Sequence, residues 1–123
     1  MNRLVGIPWG DNAPPQQADC VSLAVYAQKL LWGREIDLKG INTNWQELSL
    51  REMSFEIEKV VPTLFDEIDY PIVGGIGTIE TVGFKHIVTF VAIDLILHTC
   101  INSKSRMSKF RESTRMTYWK IKQ

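Results

Sequence analysis

Hydrophobic spacing changes character at Pro62, and that change constrains the fold more than any other feature of the chain. Before it, apolar residues recur at helical intervals; after it, they alternate with polar ones or run in short blocks bounded by glycine. In Asp19–Trp32 (DCVSLAVYAQKLLW), Leu23, Tyr26, Ala27, Leu30 and Leu31 form one stripe, with Asp19 a natural N-cap and Gly33 a natural stop. Asn42–Leu48 predicts a short helical turn. Ser49 with Glu52 reads as a capping box for a second helix, Leu50–Val60, with Met53, Ile57 and Val60 inward and Pro62 as its end. Strands are expected at Glu67–Val73, His86–Ala92, Leu95–Cys100 and Arg115–Ile121, the first an edge because Pro71 cannot donate to a ladder. Gly74, Gly75 and Gly77 read as a loop, and neither a lysine nor a helix start follows them to make a phosphate cradle. Helices first and an antiparallel sheet after them make an α+β chain.

At 123 residues, without repeats or low-complexity stretches, the expectation is one domain spanning 1–123. The longest apolar run, Ile87–Ile93, falls far short of the ~18 residues a membrane span needs. The opening MNRLVGIPWG lacks a charged-then-apolar signal region, so no signal peptide is expected. Two cysteines are too few for a disulfide framework or a cysteine-pair zinc site, and neither metal nor cofactor is expected. Net charge is zero, but residues 101–123 hold seven bases against Glu112 alone. Such a stretch suits either an acidic partner or the solvated face of closing strands. No aromatic-rich basic motif lies beside it, so nucleic-acid binding is the minor reading.

Cys20 opens the first helix, where backbone N–H groups and the helix dipole favour a thiolate. His86 and His98, the only histidines, lie twelve residues apart around a turn expected near Ala92–Ile93. Equal parity puts both on one face of a hairpin, approximately opposite each other, with Cβ atoms about 4.5–5.5 Å apart. The helix is expected to pack on the more apolar face, bringing Cys20 over the pair. A thiol at a helix N-terminus above two strand histidines is the outline of a cysteine hydrolase. The plainer readings are a small core cysteine and two unrelated histidines. Cys100 reads as a buried free thiol.

These residues resemble the NlpC-type cysteine peptidases of bacterial cell walls: Asp19-Cys20 at a helix start, His86 on a strand, then Leu97-His98 twelve residues later. Gly6-Ile7-Pro8-Trp9-Gly10 is similar to the family's Gly-x-Pro-Tyr approach segment, and Leu23 to the apolar residue after Asp-Cys-x-x. Phe65-Asp66-Glu67-Ile68 resembles the strand start that precedes the histidine. The resemblance covers nearly the whole chain and is nearest to the single-domain versions in tail proteins of bacteriophages and prophages. Three departures stand out: Trp9 replaces a tyrosine whose hydroxyl helps the oxyanion site, Val21-Ser22 replaces Ser-Gly, and Val88 replaces a glycine.

The resemblance implies a papain-like NlpC-type fold and amide hydrolysis in two steps. Cys20 would be the nucleophile, His86 the base and His98 the group that orients it, with backbone N–H groups at the helix start holding the oxyanion. Asp19, Ser22 and Trp9 are candidates for substrate contact, Asp19 equally for a cap alone. The implied substrate is a peptidoglycan stem peptide, the implied partners other phage tail or baseplate proteins, and the implied location the virion tail, or the host cytoplasm before assembly. Trp9 and Val88 predict a slow enzyme. Two alternatives are a tail tip or baseplate component that keeps the fold for docking, and another papain-like thiol amidase or acyltransferase.

Overall fold

The computed structural model describes residues 2–10, 14–36, 50–81, 84–100, 102–112 and 115–122. A 3-10 turn at Asn2–Leu4 precedes two helices, α1 (Cys20–Trp32) and α2 (Leu50–Leu64). Six strands follow: β1 (Phe65–Ile68), β2 (Ile76–Thr81), β3 (Phe84–Ala92), β4 (Leu95–His98), β5 (Arg106–Lys109) and β6 (Met116–Ile121). They form one antiparallel sheet in the order β1-β6-β2-β3-β4-β5, so the described architecture is α+β. The turn expected at 42–48 and Ser49 of the expected capping box lie outside the described residues.

α1 begins and ends where its caps require. Ser22 N–H donates to Asp19 Oδ1 at 2.7 Å and Asp19 N–H to Ser22 Oγ at 3.0 Å, a reciprocal capping box. Gly33 stops the helix at φ 64°, a left-handed conformation that a residue without Cβ adopts at no steric cost. α2 differs from expectation, for it runs through Pro62 to Leu64. The proline removes one backbone bond near the helix end. Val60 and Val61 before it and Phe65 after it are all buried, so packing carries the chain past the break.

Parity through the sheet separates two faces. Phe65, Ile121, Trp119, Ile76, Thr89, Ile87, Leu97 and Met107 share the face under the helices, as their register pairings require. Cys20, Val21 and Ala24 of α1 pack there with Ile57 and Val61 of α2, while Leu23 and Ala27 pack on Leu97, Leu4 and Ile7. Burying a side chain of Leu23's size stabilises the fold by about 2 kcal/mol. The other face is apolar too: Val88, Phe90 and Tyr118 are buried with Ile68, Ile96, Phe110 and Met116 around them. Phe110, just beyond β5, meets Phe90 edge-on at 4.9 Å and Tyr118 at 6.2 Å, although three strands separate β5 from β6. The sheet therefore curls, and its concave side is a second core. Gly77 leaves room for this core, since a Cβ there would lie 2.6 Å from Met116 Sδ and 3.2 Å from Phe90 Cε2.

Three strands differ from expectation. Of the three glycines expected to form a loop, only Gly74 and Gly75 lie in the turn, and Gly77 belongs to β2, a strand the spacing does not predict. β5 lies inside the basic stretch, whose bases Lys104, Arg106, Lys109, Arg111, Arg115, Lys120 and Lys122 are all exposed around the closing strands. The strand expected at Glu67–Val73 lies instead at Phe65–Ile68; it is an edge of the sheet, but Pro71 falls beyond its end and is not what makes it one.

Candidate functional site

Cys20 is the first residue of α1 and only 2 % exposed, among Val21, Ala24, Ile57 and Ile87. Backbone N–H groups of Ile87, Cys20 and Val21 point at its sulfur, each favouring the anion. Burial and the neighbouring Asp19 carboxylate outweigh them and push the thiol up to about 12. The activation expected from the helix terminus is thus reversed: the dipole acts on a group that has been taken out of water beside a negative charge.

The Ile87 contact locates the thiol. β4 ends at His98, whose strand is paired to β3 only as far as Thr89↔Leu97. β3 extends beyond that point, and there Ile87 N–H meets Cys20 Sγ, one residue along the chain from His86. α1 packs on the face of Ile87, so the expectation that it would lie over the face carrying the histidines is corrected. The pleat sends His86 to the concave face with Val88 and Phe90. The sulfur thus lies in line with the strand's N–H groups, at the edge that β4 leaves uncovered, and is buried there.

The two imidazoles are brought together, though not as direct cross-strand partners. Their ring centroids are 6.2 Å apart in an edge-to-face arrangement. The register runs Phe90↔Ile96 and Thr89↔Leu97, with a bulge before Ala92↔Leu95. Continued past β4, it sets Val88 opposite His98, so His86 and His98 are diagonal neighbours on one face. Burial lowers His86 to about 4, and the charges of His98 and Arg106 add to the effect. His98, half-buried, is lowered for the same reasons, burial first and then Arg106.

Two residues that sequence reasoning missed complete this cluster. His98 Nε2 is 2.7 Å from Ser108 Oγ, and Arg106 stands directly opposite His98 in the β4–β5 register. Both follow from recognising β5, where residues two apart share the histidine face; the concentration of positive charge concealed that alternation.

The remaining candidates have structural partners. Asp19 is buried and occupied in the capping box with half-buried Ser22. Trp9 packs against the Cys20 cluster while its backbone N–H donates to Ser103 O at 2.9 Å. That bond belongs to a seam in which Gly6 N–H donates to Ser105 O and Ser105 N–H to Ile7 O, both at 2.8 Å. The seam fixes the N-terminal segment beside the β4–β5 connection. Val88 fills the concave core with Phe90 and Tyr118. Cys100 is a free thiol, half-buried rather than fully buried as expected. Among the described residues no three His, Cys, Asp or Glu side chains gather as a metal site, and no helix is long and apolar enough to cross a membrane. A shallow cavity of about 410 Å³ lies by β1, lined by Glu67, Ile68, Asp69, Tyr70, Ile72 and Lys120, and includes none of these site residues.

No protein-family model matches this chain, and no curated protein matches it.

Proposed function

We propose that this chain is a cysteine peptidase of NlpC type on a papain-like fold, acting on the stem peptides of peptidoglycan as part of a bacteriophage tail. One observation carries the reading. The first residue of a helix is a cysteine whose sulfur takes the strand N–H next to His86, and His86 meets His98 edge-on at 6.2 Å. In the proposed reaction His86 takes the proton from Cys20 Sγ and the sulfur attacks the acyl carbon. The N–H of Cys20, at the helix start, would then hold the oxyanion. His86 then returns the proton to the leaving amine, and water releases the acyl group from sulfur. His98 orients His86 throughout. Purified protein should release new amino groups from peptidoglycan or soluble stem peptides. Cys20→Ala should lower that rate by several orders of magnitude while circular dichroism stays unchanged. Equal release by wild type and Cys20→Ala would sink the reading.

A second reading has its own support. The raised thiol and the depressed imidazole both oppose a thiolate–imidazolium pair at rest. A tail component that keeps this fold for docking alone would show that pattern. It predicts that Cys20→Ala particles assemble and infect normally while walls remain uncut.

A further inference from the structure

We infer that the Thr99 hydroxyl is a further hydrogen-bond donor for the Cys20 sulfur, engaged when the thiol gives up its proton. The inference rests on Cys20 as nucleophile, but not on which wall or peptide is cut. Thr99, next to His98, is 0 % exposed, and among the described residues its Oγ1 has no hydrogen-bond partner. A buried hydroxyl without a partner costs stability that a valine of the same shape would not. The ladder sets this hydroxyl beside the sulfur. Phe90 bonds to Gly74 and Gly75 on the β2 side, so the N–H groups of Thr89 and Ile87 point the other way, toward β4. Thr89 pairs there with Leu97, and the register continued past β4 sets Ile87 opposite Thr99. Ile87 N–H goes instead to Cys20 Sγ. The sulfur stands in for the acceptor that β4 would have supplied, between Ile87 and Thr99.

Parity carries the side chain to the same place. Thr99 shares it with Leu97, which packs under α1 with Leu23 and Ala27. The arm still runs on at Thr99, since the turn closes only beyond it, with Ser103 N–H donating to Cys100 O at 3.1 Å. The hydroxyl therefore leaves on the face from which α1 delivers Cys20. Val21, Ala24, Ile57 and Ile87 around the sulfur are apolar, and Asp19 is occupied in its capping box. A neutral thiol is a weak acceptor and a thiolate a strong one. A hydroxyl whose hydrogen turns to suit its surroundings is idle beside the first and bonds the second. Thr99 keeps its own proton throughout, and the thiol proton goes to His86. The donor thus favours the attacking form of the sulfur without favouring the resting one.

The test separates hydroxyl from volume, with Cys100→Ser as background so that Cys20 is the only thiol. Thr99→Val removes the hydroxyl and keeps the shape, Thr99→Ser keeps the hydroxyl and loses a methyl, and Thr99→Ala loses both. Thr99→Val should melt no lower than wild type yet lower the iodoacetamide rate of Cys20 about 10-fold, as expected for losing one hydrogen bond to a charged group. Thr99→Ser should keep most of the rate although its lost methyl lowers the melting temperature. Thr99→Ala should melt low and still react slowly. A purely structural role would reverse that, because a looser fold exposes the thiol more often. Rates that follow melting temperature across the four proteins overturn the inference, as does a Thr99→Val rate within about twofold of wild type. Should Thr99→Val fail to fold, the serine and alanine variants carry the same comparison. A protein that shows the hydroxyl dependence yet cuts no amide overturns the peptidase reading and leaves the bond standing. One that cuts stem peptides while wild type and Thr99→Val alkylate equally overturns the bond and leaves the peptidase.

Discussion

At its C-terminal end α1 buries Gln28 completely, and at its N-terminal end it buries Cys20 almost as deeply. Gln28 Nε2 donates to Gly74 O at 2.9 Å, and Oε1 accepts from Arg34 Nη1 at 3.0 Å. Gly74 is itself held to β3, its N–H donating to Phe90 O at 3.0 Å. A neutral amide can be satisfied by such neighbours, and the helix end is pinned to the sheet. The thiol end is arranged otherwise. Three N–H groups face a sulfur that burial and Asp19 keep protonated. The donors are in place for a charge that the resting site does not hold. Polar burial at one end serves stability, and at the other it makes sense only if something displaces the resting balance.

The largest expected effect on stability separates the two ends. Gln28→Ala leaves a cavity and strips Arg34 of one of its two acceptors, Gly74 O remaining, costing about 2–4 kcal/mol, or roughly 10 °C in Tm for a domain of this size. The alkylation rate of Cys20 in the folded fraction should stay within about twofold, because caps at opposite ends of a helix share no partner. Thermal melts alongside iodoacetamide kinetics measure both. If the Cys20 rate changes as much as the melting temperature, the helix couples its ends and the division fails.

Next in size is the pH dependence of folding, which belongs to the site alone. The folded His86 titrates near 4 and the free imidazole near 6.5. As pH falls below about 6.5 the unfolded chain takes up a proton that the folded chain refuses, so stability is lost until about pH 4. The loss from His86 is at most about 3 kcal/mol. His98 acts in the same direction. The thiol has the opposite sign, since the unfolded group ionises near 9 and the folded one near 12, so stability also falls as pH rises above about 9. Urea midpoints should be highest between these limits. His86→Gln should flatten the acid side and Cys20→Ala the alkaline side. An acid limb unchanged in His86→Gln would place the burial elsewhere.

The same contrast explains what could be read from the chain. α1 was legible because stripe, cap and stop agree over Asp19–Gly33, and β3 and β4 because two short apolar blocks flank the turn signal at Ile93-Asp94. The thiol's neighbourhood was legible only in part. Cys20 at a helix start and two histidines of equal parity need no tertiary knowledge. Their offset depends on a bulge at Phe90–Ala92, and the face that α1 chose depends on Ile87 and Leu97 being its partners. No local pattern encodes either. The raised thiol was illegible for the same reason, since burial is set by Ile57 and Ile87, both far away in sequence. Gly77 hid β2 by looking like loop, and its purpose emerges only when Met116 and Phe90 are seen against it.

The smallest expected effect tests which imidazole orients which. For His86 to accept the thiol proton, the nitrogen facing Cys20 must be bare and its other nitrogen must carry hydrogen. His98 must then present an acceptor to His86, which requires the hydrogen of His98 to sit on the opposite side of its ring. The contact at 2.7 Å between His98 Nε2 and Ser108 Oγ offers that place, with Nε2–H donating to the hydroxyl oxygen. Nitrogen-15 spectra at pH 7.5 should therefore show His98 as the Nε2–H tautomer. Ser108→Ala removes the acceptor that selects this tautomer, at a cost of about 1 kcal/mol. The His98 signals should shift toward a mixture, and Cys20 alkylation should slow by about fivefold, the rate equivalent of that energy, with the melting temperature nearly unchanged. A wild-type His98 found with hydrogen on Nδ1 would mean that it donates toward His86. His86 would then be held in the wrong tautomer for a base, and the polar cluster would be part of the concave core's packing.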